Sequence, residues 1–397
     1  MNSLNDRTAT TVLGDHTFDG RVFVFSSWLN IWDFSLPHLY LIVAFYSVAT
    51  RKRTLGCIAS LLGVKAYLET TQSYHLYWKG ATALMCFAYA YGAIKVAELG
   101  IVMLKHKEDQ YDPQVGRGTR GTATVDRIKW SLAATANLRC IGFKCGKREY
   151  PIPRPTRSEI LFPAFRKLGV VDVLTTVMHH LALHNGGSTL TSRPSWQQIS
   201  IVFLIGISLF NLFQGLYGVL QYFGLYWLDM SPSQWPPMLL KPWTATSLSQ
   251  FWSKEWHSVF RRIFLFYTDL IVEPMTSHYR LSSRSQAALR TVTVFFMSAL
   301  LHDLGLYLFW RQHSLRTYVF FLSQGLGVLL EQFVGISKYP VLGFIWTYSF
   351  LFFSAGPFGM IGDVVDHGMP NTILTDGFFH DISITSRLIN FCFNTNL

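Results

Sequence analysis

Apolar stretches long enough to form membrane helices recur along most of the chain, and they constrain its fold more than any other feature. A helix needs roughly 20 mostly apolar residues to cross the hydrocarbon core of a bilayer. By that rule about six or seven of the stretches can span a membrane, and two or three are short, re-entrant or interfacial. They are residues 34–49, 55–68, 81–104, 162–183, 199–226, 259–272, 287–310, 318–336 and 341–358. We therefore expect an all-α polytopic membrane protein with a bundle of about eight transmembrane helices.

The composition agrees with a membrane protein and excludes a chain of several soluble domains. Half of the residues are hydrophobic, 16% are aromatic and only 14% are charged. Soluble proteins carry about 25% charged residues, so this chain lacks the polar surface that several soluble domains need. The same figures exclude disordered, collagen-like and coiled-coil chains.

The net charge of +11 is concentrated in one loop. Residues 105–159 contain twelve Lys or Arg against six Asp or Glu, so this segment holds +6 of the total. A long basic loop between spans is typical of the cytosolic face, where it lies against anionic lipid headgroups. Its glycines and prolines predict a loop with a short helix inside it. We therefore expect membrane lipid, and not nucleic acid, as a partner.

These features divide the chain into four parts. We expect an N-terminal segment at residues 1–33, N-terminal transmembrane helices at 34–104, a basic cytosolic loop at 105–159 and the main membrane core at 160–397.

The cysteines and histidines do not predict a metal site or a disulfide framework. The cysteines are five, an odd number, and Cys140 and Cys145 have no further Cys or His pair nearby. His179, His180 and His184 include one pair with ligand spacing but lack a third ligand. We therefore expect no metal.

A His-Asp pair lies deep inside the apolar stretch 287–310. Ionisable groups at membrane depth are costly, about 2.5–3.5 kcal/mol for Asp, Lys or Arg, so they seldom persist without a use. Helical spacing places Ser298, His302 and Gly305 on one face, where small neighbours allow close approach to the imidazole. Asp303 lies about 100° away around the helix, so it should contact a different helix. The alternative is a histidine that is simply hydrogen-bonded inside a helix bundle.

A second constellation is the aromatic and basic segment 251–262. Read as a helix, it places Trp252, Trp256, Val259 and Ile263 on one apolar stripe, with His257 at the boundary. Tryptophans beside basic residues also suit an amphipathic helix at the membrane interface, and that interpretation stays open.

Gln324 and Glu331 share a face two turns apart in the stretch 318–336. We expect them to make buried hydrogen bonds between helices.

Together these segments resemble the wax synthase-like branch of the membrane-bound O-acyltransferases. That pattern combines a Pro-rich loop, here Trp-Pro-Pro-Met at 235–238, with an aromatic-Trp-x-x-x-Trp-His element, here at 251–257. It continues with a Ser-small-x-x-His segment in a later membrane helix, here at 298–302. The resemblance covers about residues 130–360.

Two departures from the family pattern concern the loop and the Trp element. Residues 137–143 look like the family's Asn-x-Arg-Gly-Ile-Gly-aromatic stretch, but Cys140 replaces the usual glycine. The Gly-Arg-Arg commonly found between the two tryptophans is Ser-Lys-Glu at 253–255 here.

The resemblance implies transfer of an acetyl or other short acyl group from acyl-CoA to a hydroxyl of a terpenoid or meroterpenoid. The reaction would take place in a tunnel enclosed by the helix bundle, in an integral, multi-pass protein of the endoplasmic reticulum membrane. Acetyl-CoA would act as a cosubstrate, without a bound cofactor, and the acceptor would be a small hydrophobic alcohol.

The same resemblance assigns roles to individual residues. His302 maps to the family histidine as general base, and His257 is expected to position or polarise the thioester. We expect substrate contacts from the three neighbours of these histidines and cosubstrate contacts from two arginines. These residues are Trp256, Ser298 and Asp303 for the substrate, and Arg139 and Arg261 for the cosubstrate.

Three other functions stay open at the level of sequence. A long-chain alcohol acceptor would make the protein a wax ester synthase. An integral-membrane terpene cyclase needs convergent membrane carboxylic acids, and the acids of the spans offer no obvious pair. A transporter predicts internal repeats, which the chain lacks.

The charge distribution predicts the topology. Protease added to sealed microsomes should cut within residues 105–159, because this loop is expected on the cytosolic side. Immunodetection of the fragments measures this. Protection of the loop until the membrane is permeabilised would invert the topology.

Overall fold

The computed structural model describes residues 21–23, 27–76, 79–114, 123–147, 152–183, 195–256, 259–356, 359 and 361–362. Most of the described chain is helical, which confirms the all-α polytopic fold class. Two short strands, β1 (Val22–Phe23) and β2 (Tyr74–His75), pair in parallel.

The helices follow the apolar stretches closely. They are α1 Trp28–Thr50, α2 Arg53–Ser73, α3 Lys79–Leu104, α4 Thr124–Ala136, α5 Arg157–Leu183, α6 Ser195–Tyr226, α7 Leu248–Gln250, α8 Arg261–Tyr279, α9 Ser283–Trp310, α10 Leu315–Val334 and α11 Pro340–Ala355. Every predicted apolar stretch lies largely within one of them. The predicted short helix of the basic loop is α4.

Five of the described helices are long and apolar enough to cross a membrane, namely α1, α3, α6, α9 and α10. This count is lower than the expected eight. The apolar helix α11 has 16 residues, which is short for a span. Helices α5 and α8 have sufficient length but carry charges, such as Asp172 in α5 and Asp269 in α8. The difference between the two counts therefore lies in helices that are short or carry charges.

Small residues allow the N-terminal helices to pack closely around α3. A Cβ at Gly56 of α2 would lie 1.9 Å from the Met103 sulfur, and one at Gly100 of α3 would lie 2.9 Å from the Ser60 Cβ. Close backbone approach through small residues is the usual way in which membrane helices associate. Helix α3 also packs on α9, which brings the N-terminal helices to the predicted site.

Helix α7 is short, and the carboxylate of Glu331 on α10 caps its start. The two oxygens of Glu331 accept hydrogen bonds from the backbone N–H groups of Leu248 (2.7 Å) and Ser249 (3.1 Å). A carboxylate at a helix N-terminus satisfies free N–H groups and opposes the positive end of the helix dipole. The expected buried contact of Glu331 between helices is confirmed, and it holds the start of the Trp element against α10.

Candidate active site

His302 lies in the middle of α9, half-buried between two aromatic rings. Phe321 of α10 lies against the imidazole with ring centroids 4.4 Å apart, and Phe87 of α3 meets its edge at 5.9 Å. A Cβ at Gly305 would lie 2.5 Å from the Phe87 ring, so Phe87 fills the space that this glycine leaves. The imidazole is therefore oriented by α3 and α10 together.

The hydrogen bond of the imidazole determines its tautomer. Nδ1 of His302 lies 2.8 Å from the backbone carbonyl oxygen of Ser298, one helical turn earlier. A carbonyl oxygen can only accept, so Nδ1 must carry the proton. In neutral His302 the other nitrogen, Nε2, then has a free lone pair. A neutral imidazole in this tautomer can act as a base through Nε2.

The Trp element does not form the continuous helix that its spacing predicts. Helix α7 passes into a π-helical turn at Phe251–Glu255, and the backbone becomes extended at Trp256. The side chain of Glu255 accepts hydrogen bonds from the backbone N–H of Lys241 (2.9 Å) and from the Gln250 amide (3.2 Å). These contacts close the turn before α8 begins, so the predicted stripe of Trp252, Trp256, Val259 and Ile263 is wrong.

Trp252 contacts α10 close to the place where His302 of α9 contacts it. Its indole Nε1 donates to Oε1 of Gln324 (3.2 Å), whose amide donates to Ser354 of α11 (2.7 Å). The Trp252 ring also meets Phe321, the residue that lies on His302, at a centroid distance of 6.2 Å. The two constellations found in the sequence therefore share Phe321. The expected buried hydrogen bonds of Gln324 are confirmed.

The other predicted residues of this region differ in how far the structure describes them. Trp256 stacks on Phe251 with centroids 5.7 Å apart and nearly parallel rings. Ser298 is buried on the same face of α9 as His302. His257 lies outside the described residues, as does His184, and the side chains of His179 and His180 are likewise not described. Within the described part of the chain, no group of three or more His, Cys, Asp or Glu could hold a metal ion.

Asp303 does contact a different helix, as its position around α9 predicts. Its carboxylate, 3% exposed, accepts hydrogen bonds from the backbone N–H of Ser314 (2.7 Å), from Nδ1 of His313 (2.7 Å) and from the Tyr318 hydroxyl (3.0 Å). These donors lie in the α9–α10 connection and in the first turn of α10. Both oxygens are thus engaged by the protein, which gives Asp303 a role in joining α9 to α10.

Two comparisons with known proteins concern the part of the chain that forms this site. The model of the membrane bound O-acyl transferase family matches residues 235–323, a segment that contains the Trp element, His302 and Phe321. The acetyltransferase eriL of Hericium erinaceus is 26% identical over 262 residues. Over this segment the chain is similar to the membrane-bound O-acyltransferases. The alignment with eriL covers 57% of this chain and 64% of that protein, somewhat less than two thirds of its length.

Arg139 links the basic loop to the part of the chain that the O-acyltransferase model matches. Its guanidinium donates to the carbonyl oxygens of Pro236 and Pro237, both at 3.0 Å, and lies over the Tyr217 ring at 5.4 Å. Burial lowers the pKa of Arg139 below its ordinary value. The two stretches of family resemblance are therefore in contact. The expected contact of Arg139 with the cosubstrate stays a prediction.

Two adjacent arginines at the start of α8 have opposite environments. Arg261, the predicted cosubstrate contact, is exposed. The Arg262 side chain is only 13% exposed and pairs with Glu98 of α3, beside Lys95. Sequence reasoning missed this buried group of charges. Lys95 and Glu98, three residues apart inside the apolar stretch 81–104, were the signal that could have revealed it.

The role of Asp303 can be tested through stability. Asp303→Asn should lower the free energy of unfolding by about 1.5–3 kcal/mol, because an amide cannot accept from all three donors. Denaturant titration in detergent, followed by tryptophan fluorescence, measures this. Asp229→Asn is the matched control, since the Asp229 side chain is 89% exposed and its pair with Arg154 lies at the surface. That control should change the free energy by less than about 0.5 kcal/mol. Equal losses in the two variants would contradict the joining role.

Proposed function

We propose that this protein is an O-acyltransferase that transfers an acetyl group from acetyl-CoA to a hydroxyl of a terpenoid or meroterpenoid alcohol, with His302 as general base. The strongest support is the tautomer of His302. The Ser298 carbonyl accepts a hydrogen bond from the protonated Nδ1, and Nε2 is left as a hydrogen-bond acceptor beside the Phe321 ring. A base of this kind is what an alcohol needs in order to attack a thioester.

The proposed reaction requires no protein nucleophile. Nε2 of His302 takes the hydroxyl proton as the alcohol oxygen forms a bond to the thioester carbon. The carbon–sulfur bond then breaks, and the imidazolium returns the proton to the coenzyme A thiolate. Ester and free coenzyme A leave, and His302 is again neutral with its proton on Nδ1. Coenzyme A is a good leaving group, so direct transfer from donor to acceptor is sufficient.

The residues around His302 suggest an apolar acceptor. Phe321 lies against the imidazole, Phe87 meets its edge, and Trp252 contacts Phe321. Aromatic side chains bury the carbon skeleton of a terpenoid well but make few hydrogen bonds with a polar alcohol. Ser298 and Trp256 are the proposed substrate contacts. The printed name of the relative, an acetyltransferase, supports a short acyl donor.

The remaining roles are proposed on the family resemblance. His257 would position or polarise the thioester carbonyl. Arg261, exposed at the first turn of α8, and Arg139, at the edge of the basic loop, would bind the coenzyme A phosphates. A reaction site within a helix bundle of the endoplasmic reticulum membrane would give the acceptor access through the lipid.

Loss of His302 tests the proposed base. His302→Ala should lower product formation about 10²- to 10⁴-fold, which corresponds to about 3–5 kcal/mol in the barrier. Microsomes containing each variant are incubated with labelled acetyl-CoA and a panel of terpenoid alcohols, and the labelled ester is quantified. His278→Ala is the matched control, because His278 is an exposed histidine near the end of α8. It should retain wild-type activity. A His302→Ala protein that inserts normally and still acetylates at the wild-type rate would leave His302 as a structural histidine only.

The length of the acyl donor is tested separately. We expect labelled acetyl-CoA to be used in preference to hexanoyl-CoA and palmitoyl-CoA when the three compete at equal concentration. Ester products are separated by chain length and counted. A preference for palmitoyl-CoA would instead assign the protein to wax ester synthesis, with a long-chain alcohol as acceptor.

A further inference from the structure

Phe87 of α3 lies next to the proposed base but outside the hydrophobic core of the N-terminal helices. Its ring meets the edge of the His302 imidazole, with ring centroids 5.9 Å apart and planes inclined by 64°. Its neighbours in α3, Cys86 and Tyr89, are buried in that core. Phe87 is half-buried and, among the described residues, does not belong to the core. Its contacts with α9 therefore distinguish Phe87 from its neighbours.

A glycine of α9 makes room for the Phe87 ring. A Cβ at Gly305 would lie 2.5 Å from Cδ1 and 2.6 Å from Cε1 of that ring, closer than carbon atoms of different residues approach each other. Gly305 follows His302 by three residues, so both lie on the same face of α9. The ring therefore rests directly on the backbone of α9, one turn from the imidazole.

The groups around the His302 imidazole differ in how firmly they are packed. Nδ1 donates to the Ser298 carbonyl within α9. Phe321 lies against the ring at 4.4 Å and is only 3% exposed, in a second core that includes Phe320. Phe87 bounds the edge of the imidazole and is half-buried. Of the two aromatic neighbours, Phe87 is thus the one whose size can change with the smaller disturbance of core packing.

The two reacting molecules differ in the space that they need beside the imidazole. The acceptor hydroxyl and the thioester carbonyl have to meet within reach of Nε2 of His302. A terpenoid acceptor is bulky, whereas an acetyl group extends beyond its carbonyl carbon by a single methyl group. The side bounded by Phe87 is narrow, because the ring rests on the Gly305 backbone. A small acyl group suits this narrow side, and each further methylene needs space that the ring occupies.

We propose that Phe87 determines the length of the acyl group, because its ring occupies the space beside His302 that acyl chains longer than acetyl would need. The proposal rests on the acyl transfer proposed above and specifies its donor. Phe87 lies outside residues 235–323, the segment that the family model matches, so that match assigns it no role. A hydrophobic pocket discriminates a single methylene by about 10- to 200-fold. One aromatic ring is therefore sufficient to exclude a chain that is several methylenes longer.

Competition between donors of different length tests the role of Phe87. Microsomes with equal amounts of wild-type protein, Phe87→Ala or Phe87→Leu are incubated with acetyl-CoA, butanoyl-CoA and hexanoyl-CoA and a panel of terpenoid alcohols. The ratio of kcat/KM for hexanoyl-CoA to that for acetyl-CoA should rise at least about tenfold in Phe87→Ala. Phe87→Leu removes less of the side chain, so it should favour butanoyl-CoA more than hexanoyl-CoA. This smaller change also carries the test if Phe87→Ala does not fold.

Phe296→Ala is the matched control for the loss of an aromatic ring near the site. Phe296 also lies on α9, where its ring meets Tyr318 of α10 at a centroid distance of 6.2 Å. Six residues separate Phe296 from His302, which places the two side chains on different faces of the helix. The control should therefore keep the wild-type ratio of hexanoyl to acetyl transfer.

Melting temperatures test the contact of Phe87 with α9 without any assay of acyl transfer. Gly305→Ala should lower the melting temperature in detergent, because the new Cβ meets the Phe87 ring. In the Phe87→Ala background the same substitution should be neutral or stabilising, since alanine is a better helix former than glycine. An equal decrease in both backgrounds would show that the ring does not occupy this space, and it would overturn the proposal.

The failure of this proposal can be distinguished from the failure of the proposed function. Wild-type protein that transfers no acyl group from any of the three donors would overturn both. Acetyl transfer by the wild-type protein, with the same donor ratio in both Phe87 variants, would overturn only the role of Phe87. A change in the range of acceptor alcohols at an unchanged donor ratio would likewise contradict it. A graded shift towards longer donors from phenylalanine through leucine to alanine is the result that we expect.

Discussion

The carboxylate of Asp303 connects α9 and α10, the two helices that form the proposed site, by hydrogen bonds. The positions of the other side chains of the site depend on this connection. An unpaired charge is costly inside a membrane protein, so a buried carboxylate needs hydrogen-bond donors from the protein itself. Asp303 meets this requirement with donors from the start of α10, namely Ser314 N–H, Nδ1 of His313 and the Tyr318 hydroxyl. The contact sets where α10 begins relative to α9. The hydrogen bonds of Asp303 thus fix the position of the neighbouring His302 relative to α10.

A short series of contacts connects Asp303 to the proposed base and to the Trp element. With α10 in place, Phe321 lies on the imidazole of His302, and Gln324 one turn later accepts from Trp252. The Ser298 carbonyl, on the same helix as His302, accepts a hydrogen bond from Nδ1 and leaves Nε2 unprotonated, as the proposed base must be. Phe321 and Phe87 cover part of the imidazole. Orientation of the base is what the proposed direct acyl transfer requires.

The parts of this arrangement that the sequence could predict are those set by local geometry. The apolar stretches predicted the helices, because the length of an apolar run depends only on neighbouring residues. The placement of Asp303 about 100° from His302 predicted that it would meet another helix, and it meets α10. The resemblance to the O-acyltransferases selected His302 from the same residues, and the family model matches the segment that contains it.

The parts that the sequence could not predict depend on contacts between distant residues. The stripe from Trp252 to Ile263 failed because Glu331, 83 residues away from Leu248 in the chain, caps α7, and because Glu255 closes a π-helical turn. The pairing of Arg262 with Glu98 needed α3 and α8 side by side, which no local pattern shows. Five described helices have the length and hydropathy of a span, fewer than the eight or so expected, because charges in α5 and α8 lower their hydropathy.

The most direct measurement of the central claim is a cryo-electron microscopy structure of the protein with a non-hydrolysable acetyl-CoA analogue and an acceptor alcohol. The acceptor hydroxyl should lie within hydrogen-bond reach of Nε2 of His302, about 3 Å away, with Nδ1 still donating to the Ser298 carbonyl. The acyl carbon should lie beside that hydroxyl, and the carbon skeleton of the acceptor should lie against the aromatic side chains around Phe321. An acyl group bound elsewhere in the bundle, with His302 enclosed only by protein, would contradict the account.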